Sequence, residues 1–230
     1  GNACDALGAW EFDEGSGTNA QDSTSNGNDG TLVGGASWTA GKLGNAVELD
    51  GATGNISIPD TTDHHFGTGS FTIETWINAS SFTSTEDPNL VRWFSKNSWC
   101  SDWKTAPDPS CVWFVGQVKS NGQPEFSGRG YNDSDYFAAT APASLSLNTW
   151  HHLAYVIDRS GTPAKGFIYI DGENQSGTGV EFPHLTGVVN IPAPIGLGGL
   201  WAKLTGKLDQ TVIYGSALTA AEIHDHYQNP

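Results

Sequence analysis

Short runs of alternating apolar and polar residues cover most of this chain and constrain its fold more than any other feature. They include ALGAWEF, NAVELD, NISIP, SFTIETWINA, CVWFVGQV, WHHLAYVID, GFIYIDG and KLDQTVIYG. A period of two is typical of β-strands, and turn-forming residues such as DEGSG, DGATG and DRSG separate the runs. Only LTAAEIHDHY has a helical pattern, with Thr219 as the expected N-cap and Leu218, Ile223 and Tyr227 on one side. The sequence therefore predicts an all-β antiparallel sandwich or jelly roll with one short C-terminal helix.

Length and charge narrow the class of protein. The 230 residues fit a single β-sandwich domain spanning residues 1–230, and no linker or repeat divides them. No run of eighteen apolar residues is present, so we expect no transmembrane helix and no membrane partner. The net charge of −15 argues against nucleic acid or an anionic membrane as the partner.

The cysteines point to an oxidising compartment. Cys100 and Cys111 bracket the proline-containing loop SDWKTAPDPS, and we expect them to form a disulfide bond. Closing a loop of this size stabilises the fold by on the order of 3 kcal/mol in the chain-entropy model. Cys4 is left over near the start of the chain. Disulfide use predicts a secreted, extracellular protein.

The polar stretch DSTSNGNDG, residues 22–30, has the spacing of a calcium loop. Oxygen-bearing side chains alternate at Asp22, Thr24, Asn26 and Asn28, with Gly27 at the position of the sharp turn. The twelfth position is Val33, where such a loop needs a bidentate glutamate, so a further carboxylate must come from elsewhere. The alternative is a plain Asn-Gly turn in which Asp22 and Asn28 form Asx turns.

The order of the segments resembles the laminin G-like, concanavalin A-like jelly-roll family. The resemblance rests on GAWEFDEGSG, on DSTSNGNDGTLVGGASWTAGKLGNAVELDGATGNISIP and GSFTIETWINAS, and on NTWHHLAYVID, GFIYIDGENQSG and GKLDQTVIYGSALTAAEI near the end. It implies the jelly-roll fold and a structural Ca²⁺ near the first and last strands. The missing carboxylate would then be Asp209 of the last strand or an acid of the first strand: Glu11, Asp13 or Glu14. The chain departs from the family at about residues 86–130, which we expect to be an inserted, disulfide-braced segment rich in tryptophan.

This segment is the predicted ligand site. Trp99 and Trp103 lie in the polar stretch KNSWCSDWKTAPDP, where no core pattern requires them, and indole rings stack on sugar faces. The basic residues of 92–129 give that stretch a net charge of +2 in an acidic protein. Each feature also has an explanation that needs no ligand. The tryptophan rings could cover a small core of the loop itself, and the basic residues could be ordinary solvent-exposed surface residues. The predicted contacts are Trp99, Trp103, Lys104, Arg129 and Tyr131.

These observations favour a non-catalytic carbohydrate-binding module for a polysaccharide or oligosaccharide, acidic if the basic residues contact it. We expect it to be part of a larger multidomain secreted protein. One alternative is a polysaccharide lyase or glycoside hydrolase on the same fold. A lyase could use Arg129 and Tyr131 with His151 or His152, whereas the paired-acid motif E-x-D-x-x-E of a hydrolase is absent. A protein-binding adhesion domain is the other alternative.

Overall fold

The computed structural model describes residues 6–97, 113–129 and 136–230, and it contains seventeen strands, a short 3₁₀ helix (Thr62–His64) and one α-helix. The strands are β1 (Ala6–Trp10), β2 (Asn19–Ala20), β3 (Gly30–Val33), β4 (Ser37–Ala40), β5 (Asn45–Asp50), β6 (Asn55–Ile58), β7 (Phe71–Ala79), β8 (Leu90–Asn97), β9 (Trp113–Lys119), β10 (Pro124–Arg129), β11 (Tyr136–Thr140), β12 (His151–Asp158), β13 (Ala164–Ile170), β14 (Glu173–Asn174), β15 (Val180–Phe182), β16 (Ile195–Leu197) and β17 (Thr205–Tyr214). The helix α1 is Ala220–Gln228.

The strands form two antiparallel sheets packed face to face. The first sheet has the order β14-β13-β12-β7-β17-β5-β4, with β1 paired to β17 and β15 to β13. The second has the order β11-β10-β9-β8-β16-β6-β3-β2. The sequence prediction of an all-β antiparallel sandwich is confirmed.

Aromatic side chains from both sheets fill the space between them. Phe71 of the first sheet contacts Phe114 and Phe126 of the second, with ring centroids 5.5 and 6.4 Å apart. Trp93 stacks on Tyr155 at 5.3 Å, and both are fully buried. Trp93, which lies within the tryptophan-rich stretch of residues 86–130, is therefore a core residue.

The C-terminal helix forms where the sequence predicts it. The Thr219 side chain accepts a hydrogen bond from the backbone N–H of Glu222, whose carboxylate in turn accepts from Thr219, and this capping box fixes the first turn. Ile223 is fully buried against Ala154 and Val156 on the outer face of the first sheet. The helix therefore covers part of that face.

Residues 86–130, the predicted insertion, supply β8, β9 and β10, which are neighbours in the second sheet. Much of this stretch is therefore part of the sandwich itself. The predicted Cys100–Cys111 bond and Cys4 lie outside the described residues. Among the helices that the structure describes, none is long and apolar enough to cross a membrane.

Candidate functional site

The outer face of the second sheet can be assigned from the alternation of side chains along β9 and β10. Phe114 and Phe126 point inward, because both contact Phe71 of the opposite sheet. Successive side chains of a strand point to opposite sides. The residues on either side of Phe114 in β9 and of Phe126 in β10 therefore point outward. Together with their cross-strand partners in β8 and β11 they form three parallel rows across the sheet. We name them the polar row (Arg92, Gln117, Glu125, Thr140), the floor (Ser95, Val115, Ser127, Ala138) and the aromatic row (Asn97, Trp113, Arg129, Tyr136).

The floor consists of small side chains. Ser95 pairs with Val115, Val115 with Ser127 and Ser127 with Ala138. Ser95, Val115 and Ser127 are buried, although they face away from the core. The Oγ of Ser95 has no hydrogen-bond partner. The floor is therefore a largely buried row of small side chains that lies between the longer side chains of the two flanking rows.

The polar row is organised around Glu125. Its carboxylate accepts hydrogen bonds from the Gln117 amide at 2.6 Å and the Thr140 hydroxyl at 2.7 Å, and the Lys119 Nζ lies 2.6 Å from it. Burial alone would raise the pKa of Glu125, but these three partners outweigh burial and lower the pKa. The guanidinium of Arg92 lies 4.8 Å from the ring centroid of Trp201, and its Nε donates to Gln117 at 3.4 Å. The row thus presents fixed donors around an ionised acid.

The aromatic row lies at the other end of the same strands. Trp113 and Tyr136 flank Arg129, and their ring centroids are 6.3 Å apart. Tyr136 is 55% exposed, the most exposed large hydrophobic side chain among the described residues. At the row's end, the Oδ1 of Asn97 is buried without a hydrogen-bond partner. Two aromatic rings beside a guanidinium are suited to stacking and hydrogen bonding with a sugar.

The structure places one predicted ligand contact, Arg129, in this row. The other four, Trp99, Trp103, Lys104 and Tyr131, lie outside the described residues. Their segments, residues 98–112 and 130–135, join β8 to β9 and β10 to β11, so both connections leave from and return to the aromatic row. Lys96, another basic residue of this stretch, is fully buried and bonded to Asp60 and to the Ala193 carbonyl, and it does not reach the face.

Several residues of this face were missed by the sequence reasoning. Gln117, Glu125 and Tyr136 were not named as contacts, and Arg92 and Lys119 were counted only among the basic residues of the stretch 92–129. The alternation in WFVGQVK already separates Trp113, Gln117 and Lys119 from Phe114 and Val118. That pattern could have shown which residues share a face, but it could not show that the face points away from the core.

The predicted calcium loop forms a closed set of hydrogen bonds around Asp22. Its Oδ1 accepts from the backbone N–H groups of Ala9 and Thr24, each at 3.0 Å. Its Oδ2 accepts from the Thr24 hydroxyl at 2.9 Å and the Asn28 N–H at 2.8 Å. Burial would raise the pKa of Asp22, but these bonds lower it. The bond to the Thr24 N–H is an Asx turn, the alternative that the sequence left open.

The amides of this loop are also engaged. Asn26 and Asn28 each donate from the side chain to the Leu7 carbonyl, at 3.0 and 3.1 Å. Gly27 has a φ of +69°, as the sharp turn requires. Protein donors therefore use both carboxylate oxygens of Asp22. Glu11, the predicted first-strand ligand, is exposed, and no described contact joins it to Asp22.

Asp209 lies in different surroundings from Asp22. One carboxylate oxygen accepts from the backbone N–H groups of Lys42 and Leu43 at 2.8 and 3.0 Å, and the other is buried without a partner. Burial raises the pKa of Asp209 to about 6, and the nearby charge of Asp13 adds to the rise. Glu14 likewise has one buried oxygen without a partner. In the part of the chain that the structure describes, no group of three or more histidine, cysteine, aspartate or glutamate side chains is placed to hold a metal ion.

The catalytic groupings considered from the sequence do not assemble on the second sheet. Glu125 is the only acid in the three described rows, whereas a glycoside hydrolase needs two. Arg129 lies on β10 of the second sheet, and His151 and His152 lie on β12 of the first. Tyr131, the fourth member of the lyase grouping, lies outside the described residues.

A serine, a histidine and an aspartate do meet at one end of β12. The Ser146 hydroxyl lies 2.9 Å from the Nε2 of His151, whose Nδ1 lies 2.8 Å from the Asp171 carboxylate. However, the Nε2 also accepts the backbone N–H of Ser146 at 3.1 Å. The imidazole therefore braces the turn before β12, and its lone pair is shared with that N–H.

Comparison with known proteins places this geometry in a wider family. The model of the concanavalin A-like lectin/glucanases superfamily matches residues 50–224. Domain 4 of AbnA, a GH43 extracellular arabinanase from Geobacillus stearothermophilus solved in complex with arabinotriose, has a TM-score of 0.70 and 20% identity over 96% of this chain and 97% of that domain. The search of curated protein sequences gave no match.

Toxin and sialidase structures share the fold as well. The binding domain of Paraclostridial Mosquitocidal Protein 1 gives a TM-score of 0.76 at 14% identity, covering 98% of this chain and 52% of that one. The Trypanosoma rangeli sialidase in complex with the inhibitor DANA gives a TM-score of 0.65 at 14% identity. The match covers 96% of this chain and 32% of the sialidase chain. This chain therefore spans about half the length of the toxin binding domain and a third of the sialidase.

Proposed function

This chain belongs to the concanavalin A-like lectin/glucanase superfamily, and from that membership we propose that it is a non-catalytic carbohydrate-binding domain whose ligand lies across the outer face of the second sheet. The observation that carries the proposal is the aromatic row, in which Trp113 and Tyr136 flank Arg129 beside a floor of small residues. Rings on a rigid sheet are ordered before the ligand arrives, which lowers the entropic cost of binding.

The spacing of the rows indicates the size of the ligand. The polar and aromatic rows are four residues apart along β9, which is about 13 Å at 3.3 Å per residue. This distance exceeds one sugar ring, so the face suits an oligosaccharide segment of a longer chain. Sugar hydroxyls could bond to the partly exposed Lys119 at one end and to Arg129 at the other. The arabinanase domain solved with arabinotriose supports a sugar ligand for a domain of this length and fold.

The charges of this face favour an acidic polysaccharide. Arg92, Lys119 and Arg129 are three cations on the face of a protein whose net charge is −15. Glu125 offsets one of them through its contact with Lys119. A uronate or sulfate group could accept charge-assisted hydrogen bonds from the cationic side chains of this face. The extracellular arabinanase also supports a secreted protein in which this domain accompanies others.

A titration with polysaccharide fragments tests the proposal. Trp113→Ala and Tyr136→Ala should each weaken binding by about ten- to a hundredfold, the cost of about 1–3 kcal/mol for removing an interface aromatic residue. Val188→Ala, which alters an exposed apolar residue outside the three rows, is the matched control and should leave the affinity unchanged. Folded variants that bind every glycan like the parent would refute the sugar site on this face.

The same titration repeated at rising salt reads out the charge of the ligand. Screening shortens from about 10 Å at 0.1 M to about 3 Å at 1 M, so binding of an acidic fragment should weaken with salt. A neutral fragment that binds equally well at both concentrations would contradict the acidic assignment alone and leave the sugar site intact.

A structural calcium ion is the second part of the proposal, and Asp209 now supports it better than Asp22. The buried oxygens of Asp209 and Glu14 lack protein donors, whereas both oxygens of Asp22 are in use. Calcium takes carboxylate oxygens together with amide and backbone carbonyls, and a cation beside Asp209 would offset the cost of its burial. Saturation at a hundredfold over Kd would add about 2.7 kcal/mol of stability. An unchanged melting temperature of a metal-free sample on calcium addition would exclude the ion.

A further inference from the structure

A cavity of about 430 Å³ lies on the outer face of the first sheet, away from the proposed glycan site. Strand β1 and residues 23–25 form one wall, and the C-terminal end of α1 forms another. Its floor is made by side chains of β7, β12 and β17. We call it the α1 pocket. Its volume is in the range that holds a small organic ligand.

The most buried acid of the α1 pocket is incompletely satisfied. Glu74 is 3% exposed, and its Oε2 accepts a hydrogen bond from the Nδ1 of His226 at 2.8 Å. Its Oε1 has no hydrogen-bond partner among the described residues. The Nε2 of His152 is 4.0 Å away, too far for a hydrogen bond, and the Tyr214 hydroxyl, whose pKa burial and the nearby Glu74 raise, lies beside the carboxylate without closing a hydrogen bond to this oxygen. A buried carboxylate oxygen in this condition requires a donor.

The histidines of the pocket differ in their protonation. The hydrogen bond to Glu74 raises the pKa of His226, against the effect of burial. Burial lowers the pKa of His152, so this ring is neutral and adds no positive charge near Oε1. The Nδ1 of His152 is also buried without a partner. Of the two histidines, only His226 therefore offsets the negative charge of the Glu74 carboxylate.

Other groups around the α1 pocket add negative potential, which the Lys42 Nζ and the His226 imidazole offset only in part. Glu11 lines its mouth, and no described lysine or arginine lines it. The C-terminal end of a helix carries a partial negative charge, and Asn229 at the end of α1 lines the cavity. Trp76 and Tyr214 supply aromatic surface, and the Lys42 Nζ already lies 4.5 Å from the Trp76 ring centroid. Carboxylates and aromatic rings together recognise cationic groups.

We infer that the α1 pocket binds a small organic cation, a protonated primary amine or guanidinium on a short carbon chain. The cationic head donates to the free oxygen of Glu74, and the chain contacts Trp76 and Tyr214. A neutral polyol could also donate to Glu74, but it would not use the negative potential of Glu11 and the helix end. The inference does not depend on the glycan site, because the pocket is built from the opposite sheet.

Titration of the intact chain with pentylamine, followed by NMR of the histidine side chains, tests this inference. Pentylamine should shift the resonances of His152 and His226, and pentan-1-ol of the same length should not. A second arm with pentylguanidine, which carries a guanidinium in place of the amine on the same carbon chain, separates the two head groups, and both should bind. Equal binding of pentylamine and pentan-1-ol, or no shift with any cation, would overturn the inference.

Two variants locate the cation. Glu74→Gln keeps the size of the side chain and should weaken pentylamine binding by about tenfold or more, because it removes a buried charge partner. Glu11→Gln changes an exposed residue and should weaken binding only about two- to threefold, as expected for a screened partner. If Glu74→Gln does not fold, unchanged binding by Glu11→Gln together with insensitivity to salt would still contradict a cation site. Trp113→Ala, in the aromatic row, should bind pentylamine like the parent.

Discussion

The outer faces of the two sheets differ in whether their side chains are covered by other parts of the protein or exposed to solvent. On the first sheet, α1 buries Ile223 against Ala154 and Val156, and a polar cluster around Glu74 continues beside it. On the second sheet, small buried residues form a floor between a row of polar side chains and a row that holds Trp113 and Tyr136. Similar alternation along the strands has therefore produced one face that docks a helix and one face with the features of a ligand site.

The difference separates side chains that stabilise the fold from side chains that we propose bind a ligand. Ile223 is apolar and fully buried, so its contacts stabilise the fold. Tyr136 is more than half exposed and gains little from folding, so its placement beside Arg129 is better explained by a ligand. Tests that change one face should leave the property of the other unaltered.

The largest expected effect is on the helix-covered face. Ile223→Ala should lower the free energy of unfolding by about 2–5 kcal/mol, the usual cost of removing a buried branched side chain, and Ile223→Val by about 0.5–1.5 kcal/mol. Chemical denaturation measures both. Glycan affinity, measured where the variants remain folded, should be unchanged. A matching loss of glycan affinity would show that the two faces are not independent.

The next effect concerns Asp209, whose pKa is raised to about 6 in the fold from 3.8. The folded protein holds this proton more tightly than the unfolded chain, so the associated stability is present at low pH and is lost between about pH 4 and about pH 6. The shift corresponds to roughly 3 kcal/mol at 1.36 kcal/mol per unit. Asp209→Asn should therefore raise the melting temperature at neutral pH in a chelator.

With calcium present, the same substitution should have the opposite sign. If Asp209 is a ligand, Asp209→Asn removes the calcium-dependent gain and the variant becomes the less stable protein. Asp22→Asn is the comparison, because its carboxylate oxygens are occupied by protein donors. It should lower stability equally with and without calcium. If Asp22→Asn lowers stability only in the presence of calcium and Asp209→Asn does not, the calcium ligands are instead those predicted from the loop of residues 22–30.

The smallest effect is expected at Ser146. Its hydroxyl and backbone N–H share the Nε2 of His151, so Ser146→Ala removes one exposed hydrogen bond and should change stability by no more than about 0.5 kcal/mol. A serine-directed fluorophosphonate should not label the parent protein. Labelling that disappears in Ser146→Ala would show a reactive serine and would return an enzyme to consideration.

The sequence predicted the architecture well because its signals are local. Alternation identified the strands, and Thr219 with Glu222 three residues later marked the start of α1. Trp93 could not be placed, because a register irregularity between Arg92 and Phe94 changes which side chains of β8 face inward. That irregularity depends on the pairing with β9, which the spacing of residues does not reveal.

The candidate site was predicted less completely for the same reason. Arg129 was predicted to be a ligand contact, and its neighbours Trp113 and Tyr136 come from two other strands, so only the register joins the three residues. Similarly, the spacing of oxygens in the loop after β2 matches a calcium loop, yet it cannot show that backbone N–H groups of Ala9 and Asn28 use the carboxylate of Asp22. A sequence shows how many oxygen-bearing side chains a loop contains, but it does not show which of their oxygens already accept hydrogen bonds from the protein.

Hydrogen exchange of the intact chain with and without a saturating glycan compares the two faces most directly. Our account predicts slower exchange in β9, β10 and β11, residues 113–119, 124–129 and 136–140, and no change in β7, β12, β17 or α1. Pentylamine should give the reverse pattern, with slower exchange around α1 and none in the aromatic row. Glycan-induced protection of β7, β12 and β17, with β9 to β11 unchanged, would contradict the assignment of the glycan site to the second sheet.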